Sequence, residues 1–471
     1  MSAALDPIRV RVRMSTGGTV ALAIVLLVLA AAGGAVGMLV VTGALDGHWY
    51  DFRDLGIGVA HLRAWLDEQT LGQSKAMHDV MGDHWISYIV TALIGATAIL
   101  SLVGGVLLVL IWVERRLIGR IQVRRGPNRV GPYGLLQPVA DAIKLIQKEV
   151  LIPNGADRLM FYLPPILVFI PGLLVWAPLS WAPQMTYLDI NVGVLYLIAV
   201  STLATLAIFM AGWSSNNHYA LLGAMRTVAM MISYEIPLSL ALLAVVLMTG
   251  TMQLSGIVQW QADHNVWLGA LMPLAMLTFF FSSTAELNRT PNDIAEAESE
   301  IVAGFHTEYS GMKFGLFYAV ELCNAVAVGA FVATFFLGGW ALFGIERWVP
   351  PYLIFAVKVS AVYFVLVWLR GTLPRFRLDQ LMTFAWKYLI PLSLGQIVLV
   401  GIEATVIERV HIAPVVLFGA IAAINISYAV YAAKAWARFL GYRPEQEPLL
   451  RPRLVTEVGG LHAADRMRAD Q

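Results

Sequence analysis

Apolar runs long enough to cross a membrane recur along this chain, separated by polar segments too short to be domains. A helical span needs about 20 predominantly apolar residues. Stretches of about that length fall at 18–42, 86–112, 160–179, 191–212, 227–250, 266–285, 314–343, 350–369, 387–408 and 411–433. No water satisfies backbone groups inside a bilayer, so such runs fold as helices that bond their own N–H and C=O groups. Composition agrees: 58% of the 471 residues are hydrophobic and 13% are charged, where a soluble domain carries about 25% charged residues. The expected fold is an all-α polytopic membrane protein of about ten transmembrane helices.

Ten spans place both termini on one side, and the basic residues choose the side. With the N-terminus inside, Arg53, Arg63, Lys75, Arg347 and Arg409 fall outside and Lys358 lies within a span. The other 26 of the 32 Lys and Arg residues are then inside. Both termini are expected in the cytoplasm. Arg9, Arg11 and Arg13 precede the first run, and no clear small-residue cleavage site ends it, so it reads as a retained span. Segment 45–85 becomes an external excursion in which Val59, Leu62 and Leu66 recur at helical spacing beside Trp65, the pattern of a short interfacial helix. Three regions are expected: 1–85 with an extra span, a helix bundle over 86–437, and a polar cytoplasmic tail over 438–471.

Four polar segments, Glu114 to Glu149, Gly212 to Arg226, Glu286 to Lys313 and Arg370 to Lys387, all face the cytoplasm in this arrangement. The first holds Arg125-Gly126-Pro127-Asn128-Arg129-Val130-Gly131-Pro132-Tyr133-Gly134, two Gly-Pro turns that stiffen and fold the loop. It is no phosphate-cradling loop, since no Gly-Lys-Ser/Thr follows. Next, Val139, Ile143, Ile146 and Val150 form an apolar stripe, with Asp141, Lys144 and Lys148 on another face, as in an amphipathic helix at the membrane surface. The second segment holds the polar run Ser214 to Tyr219. The third packs Asp293, Glu296, Glu298 and Glu300 into eight residues. Such a cluster is either a solvated acidic face or, if buried, a set of coupled groups able to hold and pass protons.

Cys323 is the single cysteine, which excludes an intrachain disulfide and a cluster held by this chain's thiolates. No His falls in the middle of an apolar run, which argues against a haem held between two helices. Redox centres are therefore expected in partners. Ionisable groups within spans are costly in lipid. Glu235, Glu321 and Lys358 lie about 12–18 Å along their helices from the nearest cytoplasmic basic residue. They mark either a polar path into the membrane or a clamp between helices.

Together these segments resemble one family, the H subunit of proton-translocating NADH-quinone oxidoreductase (respiratory complex I), related to the first mitochondrially encoded subunit of that enzyme. The likeness covers about 86–438. It rests on Glu114-Arg115-Arg116, Arg125 to Pro132, Gly212-Trp213-Ser214-Ser215-Asn216-Asn217, Leu222-Gly223-Ala224-Met225-Arg226 and Ser233-Tyr234-Glu235. It continues through Glu296-Ala297-Glu298, Glu308 to Gly315 and Leu373 to Met382. The resemblance implies a subunit with no activity of its own that forms much of a quinone chamber and seats a peripheral redox arm. Quinone is then the substrate, while FMN and iron–sulfur clusters sit in partner subunits and this chain binds no cofactor or metal itself. Implied partners are membrane subunits of the A, J, K, L, M and N types, quinone-site subunits of the B, C/D and I types, and lipid, with no nucleic acid. By motif, Glu235, Glu286, Glu296, Glu298, Glu321 and, secondarily, Lys358 carry the proton path. Glu114, Arg115, Arg116 and Arg226 line the chamber. Arg125, Asn128, Arg129, Arg375, Arg377 and Asp379 dock the peripheral arm.

The chain departs from the family pattern at Asn292 and Ala295, where a Phe and a Pro are usual, and in its extensions at both ends. An ion-translocating subunit of a membrane-bound hydrogenase is the alternative of the same descent. A lone secondary transporter would be expected to show two similar halves, and this sequence has no visible repeat.

Overall fold

The computed structural model describes residues 85–183, 186, 188–293, 303–409 and 414–439. The expected span at 18–42, nearly all of the external segment, the tail beyond 439, and Ala295, Glu296 and Glu298 lie outside the described residues. Among the described residues the regular structure is helical, apart from an isolated bridge between Ser180 and Thr186.

The helices are α1 (Trp85–Ile121), α2 (Gln137–Gln147), α3 (Arg158–Leu174), α4 (Gly193–Ser214), α5 (His218–Thr249), α6 (Leu254–His264) and α7 (Leu268–Leu271). They continue with α8 (Pro273–Glu286), α9 (Gly311–Phe336), α10 (Pro351–Thr372), α11 (Leu378–Phe384), α12 (Ile390–Arg409) and α13 (Pro414–Phe439). Six helical stretches among the described residues are long and apolar enough to cross a membrane: α4, α5, α9, α10, the α11–α12 stretch and α13. The chain is an all-α polytopic membrane protein.

Two helices organise the bundle. α5 packs on α4, α8 and α12, and α9 packs on α3, α8 and α10. Small residues let the backbones close up, which substitutes for a hydrophobic drive between helices in lipid. A Cβ added at Gly212 would collide with the Ala224 Cβ, so the α4–α5 hairpin closes only on glycine. The short linker of that hairpin is capped by Asn217, whose Oδ1 accepts from Tyr219 N at 2.9 Å. Asp157 does the same for α3, accepting from Leu159 N at 3.1 Å.

Helix boundaries differ from the hydropathy reading wherever a local signal overrides apolarity. The expected span 266–285 is broken at Met272, because Pro273 lacks an N–H and bars its predecessor from helical geometry. Three of the four polar segments shrink. α1 continues to Ile121, only residues 215–217 separate α4 from α5, and only 373–377 separate α10 from α11. A π-helical turn, Ala385–Leu389, carries α11 into α12. The surface helix α2 is present, yet Val139, Ile146 and Val150 of its apolar stripe remain exposed, while Leu145 packs towards Gly315. α6 has no apolar run behind it. Buried Gln261 holds it instead, donating to Thr334 O at 3.0 Å and accepting from Leu268 N at 3.1 Å.

Successive spanning helices alternate in direction. One end of the bundle therefore gathers the Gly-Pro loop, α2 and the linkers after α4, α8 and α10. The opposite end gathers the linker before α4, α6, and residues 337–350.

Candidate functional site

The Glu114-Arg115-Arg116 triplet sits in the last turns of α1, where the three side chains diverge. Glu114 turns inward and is 3% exposed. It accepts from the Tyr363 hydroxyl of α10 at 2.9 Å, from Arg289 Nη1 at 3.3 Å and from Arg370 Nη1. Arg289, also 3% exposed, reaches on through Nε to Glu321 Oε1 of α9 at 3.1 Å. Two carboxylates and two guanidiniums from four parts of the chain thus form one buried network whose charges cancel. Burial by itself disfavours a charged Arg289, but Glu114 and Glu321 outweigh it and hold the guanidinium firmly protonated. Its Nη2 has no hydrogen-bond partner among the described residues.

The turn after α8 aims Arg289 inward. Asn288 takes a left-handed conformation (φ +52°), which its short polar side chain tolerates. Asn292 N closes back onto Arg289 O at 2.8 Å. The linker after α10 then pins the turn: Phe376 N donates to Pro291 O at 3.0 Å, and Arg375 pairs with Asp293 at 2.9 Å. Asn292, one of the two departures from the family pattern, is buried with its amide 3.5 Å from Thr284 Oγ1.

A second carboxylate pair lies beside this network. Glu235 stands two residues before Pro237, at a point where α5 loses one internal hydrogen bond. α5 is held there by Tyr234, which donates to Leu381 O at 3.1 Å, and by Trp386 of the π turn, which donates to Ser233 Oγ at 3.2 Å. Thr202 of α4 donates to Glu235 Oε1. Glu286 ends α8 close enough to Glu235 to feel its charge, with Ser201 in hydrogen-bonding reach. Glu286 and Ser201 open onto a cavity of about 90 Å³ between α3, α4, α5, α8 and α9.

The remaining predicted site residues are scattered. Arg115 pairs with Asp141 of α2 at 2.5 Å. Arg116 stacks over Trp112 and Tyr133, 5.1 and 5.5 Å from their centroids, which fixes it against the Gly-Pro loop. Arg226 is half-buried on α5. Arg125, Asn128 and Arg129 are exposed and rim a surface recess together with Arg115, Arg124 and Gln137. Arg377 and Asp379 are exposed at the start of α11. Lys358 stands apart from both carboxylate groups. Its ammonium donates to the carbonyls of Leu337, Gly339 and Ala341 at 2.6, 2.9 and 2.6 Å and lies 5.3 Å from the Trp267 ring centroid. Three donors meet three acceptors at the C-terminal end of α9, which is a clamp between helices.

Sequence reasoning passed over Arg289, Tyr363 and Arg370. A basic residue at a helix end reads as a membrane anchor, and nothing local announces a partner 175 positions away, as Glu114 is for Arg289. Cys323 takes up a structural role, with Trp176 Nε1 3.0 Å from its sulfur and its thiol 3.4 Å from Gly172 O. Among the described residues no group of three or more His, Cys, Asp or Glu is placed to hold a metal ion.

Residues 94–401 match the family described as NADH dehydrogenase. The chain is 46% identical over 359 residues to the NADH-quinone oxidoreductase H subunit of Dehalococcoides mccartyi strain CBDB1, covering 76% of this chain and 97% of that protein. It is 51% identical over 293 residues to the Geobacillus kaustophilus H subunit, covering 62% and 87% of the two chains. Against the second H subunit of Geobacter sulfurreducens it is 47% identical over 301 residues, covering 62% and 90%. With its matched region spanning nearly the whole of those relatives and its helices forming a polytopic bundle, the chain belongs to the NADH dehydrogenase family, among the H subunits of NADH-quinone oxidoreductase.

Proposed function

We propose that this membrane subunit forms much of the quinone chamber of its complex, seats the peripheral redox arm, and begins the path that couples quinone reduction to proton transfer. The Arg-rich end of the bundle is then cytoplasmic, as the distribution of basic residues favours. Arg125, Asn128, Arg129, Arg375, Arg377 and Asp379 form the seat, an exposed and mostly basic surface suited to acidic partner segments. Glu114, Arg115, Arg116 and Arg226 form part of the chamber wall. Electrons come from NADH through FMN and iron–sulfur clusters held by partner subunits. Glu321, Glu286 and Glu235, with Glu296 and Glu298 of the acidic run, carry the protons. Lys358 drops out of the path, because its ammonium is fully committed to carbonyls at the far end of α9.

The observation that carries this reading is the sharing of buried Arg289 between Glu114 and Glu321. Glu114 belongs to the proposed wall, and Glu321 stands on α9, a helix long and apolar enough to cross a membrane. Each reduced quinone takes up two electrons and two protons, so charge changes at the wall on every turnover. A guanidinium held between two carboxylates converts such a change into a shift of affinity for a proton at the further one. Glu286→Gln tests the path in the assembled complex. Quinone reduction coupled to proton pumping falls while NADH oxidation by ferricyanide persists. Wild-type pumping per quinone in that variant removes Glu286 from the path.

A further inference from the structure

Among the described residues no hydrogen bond joins the Glu114–Arg289–Glu321 network to the Glu235–Glu286 pair, and Asn324 is the α9 side chain that shares a cavity with Glu286. It lies three residues beyond Glu321 on α9, so the two side chains share a helix face. It also lines the same cavity as Glu286 and Ser201. Among the described residues no group bonds to its amide. Ser283 and Ser201 of the same lining have partners within the protein: Ser283 donates to Phe279 O at 2.8 Å, and Ser201 lies 3.0 Å from Ile198 O and within reach of Glu286. An amide that faces a cavity inside the bundle with no protein group to bond requires water. One water needs about 10–15 Å³ of such space, so a cavity of about 90 Å³ admits several. The cavity is also walled by Leu238, Leu242, Phe331 and Phe335, which offer water nothing. Ordered water is therefore expected against the polar part of the lining, to which Asn324, Ser201 and Glu286 belong.

We propose that Asn324 is a positioning residue of the proton path, holding the water that links the Glu321 carboxyl to the Glu286 carboxylate. This inference rests on the proton-path reading above. A proton leaving Glu321 enters the first water, and a different proton leaves the last water for Glu286. Each water returns to its starting composition, so none is consumed and no redox partner is needed. The amide both donates to and accepts from water, which lets it hold the file whichever way the waters point.

The test compares Asn324→Leu and Asn324→Ser in the assembled complex in native membranes. Leucine occupies the same wall and cannot bind water; serine is smaller and can. Three quantities are read: NADH oxidation by ferricyanide, protons pumped with quinone reduction, and the solvent deuterium isotope effect on quinone reduction. N324L lowers coupled turnover by about tenfold, less than the roughly 10²–10⁴-fold of a group that itself transfers the proton, because Asn324 only positions the water; it also raises the isotope effect while the ferricyanide rate holds. N324S recovers most of the loss. A packing role alone predicts the reverse order, with apolar leucine tolerated and the isotope effect unmoved. Wild-type turnover and isotope effect in N324L overturn the proposal. Where N324L fails to assemble, Asn324→Val, smaller and equally unable to bind water, carries the same two outcomes. Glu286→Gln run alongside separates the layers. If it is impaired while N324L is not, only the role of Asn324 falls; if both are wild-type, the proton path itself falls.

Discussion

Replacing Arg289 by Met removes the cation shared by Glu114 and Glu321. Met is close to Arg in length and fills the buried stem, so the change is mostly one of charge and hydrogen bonding. Two charge-assisted bonds are lost, at 3.3 Å to Glu114 and 3.1 Å to Glu321. Each is worth about 1.5–3 kcal/mol, and removing one partner from a buried ion network costs about 3–5 kcal/mol. The burden is unequal. Glu114 keeps the Tyr363 hydroxyl and Arg370, whereas Glu321 loses the guanidinium that donates to it. The Glu321 side chain is 19% exposed, so water relieves little of that loss. Arg289→Met is therefore expected to destabilise the complex by about 3–5 kcal/mol. Adding Glu321→Gln to it should return about 1–2 kcal/mol, a coupling typical of residues in one network. The assay is thermal inactivation of the purified complex for the two single variants and the double variant, completing the cycle. Strict additivity, or a wild-type melting profile for Arg289→Met, refutes the shared-cation account.

Three further outcomes are expected. Lys358→Met removes three bonds to carbonyls at the end of α9 and should cost about 2–3 kcal/mol in thermal inactivation, while protons pumped per quinone stay at the wild-type ratio in whatever assembles. Gly134→Ala drives a Cβ into the Pro127 carbonyl at a residue with φ +78°; the strain of about 1–3 kcal/mol should distort the Gly-Pro loop and lower the yield of peripheral subunits purified with the chain, measured by mass spectrometry. His306 is packed among Phe305, Phe314 and Phe317, and burial of its ring pushes its pKa down to about 3. The unfolded chain takes up a proton near pH 6.5 and the folded one does not, so stability falls as pH drops through that value, by about 1.4 kcal/mol per pH unit, until about pH 3. His306→Gln should flatten this slope between pH 7 and 5, read as melting temperature against pH.

Apolar run length was enough to announce a polytopic helical bundle, because lipid leaves the backbone few alternatives to a helix. Motif order along the chain was enough to point to the family, since many short pieces in one sequence are specific together when each alone is weak. Proline carries information that hydropathy ignores: Pro273 breaks an expected span, and Pro237 marks where Glu235 sits on α5. Polar composition misled in the opposite sense, since segments around Ser214 and Arg377 read as loops but are mostly helix. Hydropathy measures solvent preference, whereas helix ends are set by caps and by what packs on them.

The chain's own sequence determined that it crosses the membrane repeatedly and that Glu235, Glu321 and Lys358 stand out as ionisable groups within its spans. Only the tertiary structure decided how the charges are shared. It placed Arg289 between Glu114 and Glu321, set Glu286 at a cavity within reach of the Glu235 charge, and bonded Lys358 to three carbonyls at the end of α9. The physical reason is range. Helix propensity, turns and hydropathy act over a few neighbouring residues, while an ion pair depends on which distant helices face each other, and packing alone sets that.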